Sequence, residues 1–90
     1  MKIFKPFCES HSIEIKLYEK VKNTIFFKYN NKGIVRVYLG RKRIKVDAKA
    51  ENIPEHIDFK KQNHYFSGTL MCDYGEDTNN LIFELLNAGI

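Results

Sequence analysis

Thr24 to Lys49 reads TIFFKYNNKGIVRVYLGRKRIKVDAK, and its alternation decides the fold. A period of two sends successive side chains to opposite faces of a strand. With strands at Thr24–Asn30, Ile34–Leu39 and Arg43–Lys49, one face gathers Ile25, Phe27, Tyr29, Val35, Val37, Leu39, Ile44, Val46 and Ala48. The other carries Phe26, Lys28, Arg36, Tyr38, Arg43, Lys45, Asp47 and Lys49. The expectation is an antiparallel meander with an apolar core side and a basic, partly aromatic side.

The turns set which residues stand side by side. Asn31-Lys32-Gly33 suits a three-residue loop closed by a left-handed glycine, which pairs Asn30 with Ile34, Lys28 with Arg36 and Phe26 with Tyr38. Two registers compete at Gly40. A tight type II′ turn with Gly40 and Arg41 at its centre sets Lys45 beside Arg36, so that Lys28, Arg36 and Lys45 form one row of like charge. A longer loop over Gly40 to Arg43 sets Asp47 beside Arg36 and Lys45 beside Tyr38. Directly opposed like charges are unfavourable by up to ~1 kcal/mol, whereas the glycine favours the tight turn. The tight turn is the expectation.

Outward from the meander, Ile13, Ile15 and Leu17 alternate with Glu14, Lys16 and Tyr18, which favours a strand from Ser12 towards Val21. A helix there would expose Ile15 and begin on β-branched residues. Lys22 to Thr24 then connects to the meander. Lys2 to Phe7, broken by Pro6, reads as an edge strand or a coil laid against the core. Glu51 to Asn63 reads as a long loop with one helical turn from Pro54. Tyr65 to Tyr74 returns to strand character, with Phe66, Leu70, Cys72 and Tyr74 on one parity and a bulge at Gly68.

The C-terminal segment reads as a helix of about eleven residues, with Asp77 as N-cap, Gly89 as terminator and a stripe of Leu81, Ile82, Leu85 and Leu86. A helix this short is marginal alone, so its stripe docks on the core side of the sheet and leaves the basic side free. The fold class is therefore α+β: an antiparallel β-meander of four to five strands with one C-terminal helix packed on one face.

Ninety residues make one domain, 1–90, burying ~60–65% of the surface that the unfolded chain exposes. Hydrophobic content of 43% with 29% charged residues excludes an intrinsically disordered chain. No run approaches the ~18 apolar residues of a membrane helix. Met1 to Pro6 lacks the apolar stretch of a signal peptide, so a cytoplasmic location without a membrane partner is expected. Cys8 and Cys72 then read as small apolar thiols rather than a disulfide. Charge is polarised along the chain: all fifteen Lys and Arg lie at or before Lys61 among seven acids, a net +8, and the 29 residues beyond hold four acids and no Lys or Arg.

The strongest functional signal is GRKRIK at Gly40 to Lys45 with Lys28, Arg36 and Lys49, interleaved with Phe26 and Tyr38. The candidate binding residues are Phe26, Lys28, Arg36, Tyr38, Arg41, Lys42, Arg43 and Lys45. Cations on a sheet face hold phosphates, and aromatic rings stack unpaired bases. A plain solvated face would show charges too, and the chain has neither an RNP consensus nor zinc-finger spacing.

Other constellations are weaker. His56, Lys60, Lys61, His64 and Tyr65 contain the groups that a metal-independent ribonuclease needs. Cys8, His11, His56, His64 and Cys72 offer one tight ligand pair where structural zinc sites use two. Asp73, Glu76 and Asp77 lack the spacing of a calcium loop. No catalytic residue, metal or cofactor is expected. The function expected is a small non-enzymatic module whose basic face binds a polyanion, nucleic-acid backbone first and an acidic protein surface second. The alternative is an inhibitor or adaptor of the phage or mobile-element type that acts on a nucleic-acid-processing protein. An exposed strand edge also permits a homodimer.

Overall fold

Among the described residues the sheet has six antiparallel strands rather than four or five. The computed structural model describes residues 2–18, 20 and 22–90. The strands are β1 (Glu14–Leu17), β2 (Thr24–Tyr29), β3 (Lys32–Leu39), β4 (Arg43–Ala48), β5 (Lys60–Lys61) and β6 (Gly68–Asp73). Two helices, α1 (Lys5–Ser10) and α2 (Glu76–Ala88), complete an α+β fold. The sheet order is β1-β2-β3-β4-β6-β5. After β4 the chain passes to the far edge, forms the short β5 and returns as β6 beside β4.

The expected core face holds. Phe27, Val35, Val37, Val46 and Ala48 are fully buried, Ile25 and Ile44 nearly so, and Tyr29 and Leu39 pack against them. Ile82, Leu85 and Leu86 of α2 are fully buried in the same cluster, with Leu81 at its margin. Each such side chain contributes roughly 1.5–3 kcal/mol of burial. Gly89 ends the helix as expected, its N–H donating to the Leu85 and Leu86 carbonyls. The N-terminus differs: Gly75 is the cap and Asp77 lies in the first turn, where its charge still suits the helix dipole. The Thr78 hydroxyl fastens this end by donating to the Asp73 carbonyl at 2.6 Å.

The first hairpin is tighter than Gly33 implied. Asn30 and Asn31 take φ of 51° and 64° and form the whole turn between Tyr29 and Lys32. Asparagine tolerates left-handed backbone, and turns with both central residues in that region match the twist of a hairpin. Phe26 consequently faces Arg36, and Thr24 faces Tyr38, two residues from the expected pairing. An irregularity follows at Phe27/Lys28, where Lys28 pairs with Gly33 and Ile34 becomes the extra residue. Ile34 is buried beside Val35 and lies under Gly89, where an added Cβ would come within 2.8 Å of the Ile34 Cβ.

The second hairpin takes the longer loop, which corrects the tight-turn expectation. Leu39 pairs with Ile44, Tyr38 with Lys45 and Arg36 with Asp47. No glycine among the described residues lies in the left-handed region, so Gly40 does not supply the backbone that a type II′ turn requires. Gly40 instead lies close to the Arg43 carbonyl, which accepts its N–H at 3.0 Å. The row of like charge does not form.

The strand expected from Ser12 is shorter, Glu14–Leu17: Ser12 lies in a turn with φ of 58°, and Val21 lies outside the described residues. Lys2–Phe4 is a 3-10 turn leading into α1, not an edge strand or coil. Phe4 and Cys8, four apart, both point into the core, and Pro6 sits in the first turn, where its missing N–H is not needed. Pro54 opens a single turn closed by Ile57 N–H at 3.0 Å, after a 3-10 turn at Ala50–Asn52. Gly68 marks close packing rather than a bulge: it pairs with Ala48 and Lys61 in register, and a Cβ there would stand 2.5 Å from Ile53 Cδ1.

Candidate nucleic-acid interface

The helices cover one face of the sheet, and the side chains of opposite parity form the other. Cross-strand pairing orders them into rows. One row runs Lys16, Phe26, Arg36, Asp47, Thr69, Lys60 from edge to edge. The next runs Tyr18, Thr24, Tyr38, Lys45, Met71.

At the centre of the first row Arg36 is bound within the protein. Its Nη2 and Nε donate to Asp47 Oδ2 at 2.6 and 2.8 Å, and Thr69 donates to the other carboxylate oxygen. The Asp47 side chain is 5% exposed and that of Arg36 38%, so the acid is the member deprived of water. The guanidinium also lies over Phe66 at 5.0 Å and Phe26 at 5.9 Å. Such contacts are worth about 0.5–2 kcal/mol each, depending on desolvation.

Phe66 arrives on the loop between β5 and β6, closed by Gln62 N–H on the Ser67 carbonyl at 2.8 Å. This loop folds over one end of the face. Phe66 rests on Gly33, where a Cβ would stand 3.1 Å from its ring tip. Gly33 thus serves packing and not a left-handed turn. Tyr65 follows, edge-on to Phe66 at 5.1 Å and with Lys49 Nζ 5.0 Å over its ring.

Of the candidate residues, the structure brings Phe26, Lys28, Arg36, Tyr38 and Lys45 onto this face. Arg41 and Lys42 project from the hairpin tip at the end of the sheet. Arg43 turns to β6, its Nη2 donating to the Met71 carbonyl at 3.1 Å and its Nε lying 3.5 Å from Asp73. Four more cations belong to the face, Lys16, Lys32, Lys49 and Lys60. The alternation of Glu14, Lys16 and Tyr18 carried the signal for the first. Nothing periodic marked the two-residue β5. The acids of α2, Glu76, Asp77 and Glu84, are exposed on the opposite layer, while Glu14 stands opposite Lys28 and Asp58 beside Lys60 on the sheet's own outer side.

Thr24 lies between Tyr18 and Tyr38, and its buried hydroxyl has no hydrogen-bond partner among the described residues. An unsatisfied buried hydroxyl costs about 1–3 kcal/mol. Thr24→Val is expected to stabilise the protein by about 1 kcal/mol and to raise the thermal midpoint by roughly 4–8 °C. An unchanged or lower midpoint contradicts this account of the site.

His64 stands at the wall of a cleft with Lys45, Arg36 and Tyr65, whereas His56 lies in the turn after Pro54. His11 is held on α1, its Nδ1 2.9 Å from the Phe7 carbonyl and its ring stacked on Phe7 at 4.1 Å. Among the described residues no three His, Cys, Asp or Glu side chains gather as a metal site. Both cysteines are free. Burial pushes the Cys8 thiol up, and it pushes Cys72 up against the opposing effects of Thr78 and Arg43. No helix among the described residues is long and apolar enough to cross a membrane. No family model, curated protein or solved structure matches the chain.

Proposed function

We propose that this protein is a non-enzymatic module that binds nucleic acid across the uncovered face of its sheet. The observation that carries the reading is the makeup of that face. Lys16, Lys28, Lys45 and Lys60 alternate with Tyr18, Phe26 and Tyr38, while the acid at its centre, Asp47, is buried and consumed by Arg36. A polyanion laid across the sheet therefore meets cations and rings and no free carboxylate in the central row. Arg36 acts here as a positioning residue that fixes Phe66 and Phe26, and the lysines carry the phosphate contacts.

Fluorescence anisotropy with labelled DNA and RNA at low salt tests the reading. Binding that weakens steeply with added salt is the expected result. Failure of both nucleic acids to bind at low salt contradicts it and transfers the face to an acidic protein partner, as an inhibitor or adaptor would require.

A further inference from the structure

Beside the central ion pair, at the end of the face covered by the β5–β6 loop, lies an open groove of about 460 Å³. Tyr18, Phe26, Tyr65 and Phe66 supply its rings, and Lys16, Lys28 and Lys32 its charges. We infer that this groove takes an unpaired base of a single-stranded nucleic acid and that Lys16 and Lys28 hold the adjoining phosphates, with Lys32 adding positive charge at the rim. The inference rests on the reading of the face as a nucleic-acid interface and adds which form of nucleic acid it selects.

The ring geometry supports insertion. Tyr18 meets Phe26 at 68°, Tyr65 meets Phe66 at 87°, and Phe26 and Phe66 are tilted at 39° with centroids 6.4 Å apart. None of these pairs is stacked face to face; Arg36 lies over Phe26 and Phe66 and Lys49 over Tyr65, so a planar ligand has Tyr18 and the uncovered side of Tyr65 to stack on. Tyr18 and Tyr65 are also 41% and 52% exposed. The floor is held firm, because Phe26 and Phe66 lie under the Arg36 guanidinium, which Asp47 fixes in turn.

Charge narrows the ligand. An aromatic enclosure free of cations would suit an ammonium group, but three lysines at the rim repel one. They match a flat ring that carries a phosphate. Bases within a duplex are already stacked and paired, whereas those of a single strand splay out to meet such rings. Lys45 and Lys60 continue the basic surface beyond the groove, which suits a strand better than a free mononucleotide.

The test compares a short single-stranded oligonucleotide with the duplex it forms with its complement, using wild type, Tyr18→Ala/Tyr65→Ala and Tyr18→Phe/Tyr65→Phe. Anisotropy gives affinity, and circular dichroism verifies the fold. The chain has five tyrosines and no tryptophan, so tyrosine emission reports stacking directly in the wild type. Expected are a preference for the single strand, quenching by it, and about tenfold or greater weakening in the alanine pair that the phenylalanine pair does not show. A mononucleotide that binds as tightly as the strand would overturn the strand assignment. Equal affinity for strand and duplex in all three proteins overturns the groove while leaving the face as a polyanion site. Absence of binding to either overturns both.

Discussion

Arg36→Ala is expected to cost the fold about 3–5 kcal/mol, because it strands the Asp47 carboxylate away from water. Asp47 is a 4% exposed residue whose charge is met by Arg36 on one oxygen and Thr69 on the other. Asp47→Asn is expected to cost less, roughly 1–3 kcal/mol, since Arg36 retains a route to solvent. Urea denaturation gives both values, and the asymmetry between them is the signature. The double variant Arg36→Met/Asp47→Leu recovers most of the loss, because apolar replacement of both members removes the stranded charge. Equal small losses in the two single variants would show that the pair behaves as a surface salt bridge. Arg36 is thus a poor choice for probing ligand binding, since its removal disturbs the sheet and the seat of Phe66 together.

The second large effect concerns the lysines. If Lys16, Lys28, Lys45 and Lys60 each hold one phosphate of a single strand, log K falls against log salt with a slope of about −2.8. A fourfold rise in salt then weakens binding about fiftyfold. Replacing all four with serine is expected to flatten that dependence and to abolish most binding at moderate salt. Replacing Arg41 and Lys42 at the hairpin tip is expected to alter the association rate more than the slope, because they stand off the face and act through long-range attraction. A slope unchanged in the four-lysine variant would place the phosphate contacts elsewhere.

How far the sequence led can be followed residue by residue. The period of two sorted Ile25, Phe27, Val35, Val37, Ile44 and Val46 correctly, because a half-buried sheet enforces alternation at every position. It also fixed which side chains share the outer face. Register was not legible in the same way, since a shift of two residues preserves every face. At Gly40 the choice lay between the turn preference of one glycine and the charge match of Arg36 with Asp47, and the ion pair prevailed. At the first hairpin, Asn30 and Asn31 displaced Gly33 as the turn, and the irregularity at Ile34 reconciled the pairing with the core. Leu17 shows the limit of periodicity: its parity is that of the core face, yet on the edge strand it is 69% exposed.

The candidate site was legible in its sign and not in its wiring. Basic and aromatic side chains were expected on the outer face, and Phe26, Tyr38 and Lys45 stand there. The partner of Arg36 depended on the register. The arrival of Tyr65 and Phe66 depended on a loop without periodicity, whose landing place is set by Gly33 and the Arg36 guanidinium. These contacts turn a charged face into one with a floor, a rim and a groove.

The most direct measurement is a titration of isotope-labelled protein with a short single strand, followed by amide chemical shifts. Perturbations concentrated at Lys16, Tyr18, Phe26, Lys28, Lys45 and Phe66, with α2 unmoved, are the result expected. Shifts confined to α2 or to the hairpin tip, or no shifts at low salt, would contradict the assignment of nucleic-acid binding to the open face of the sheet.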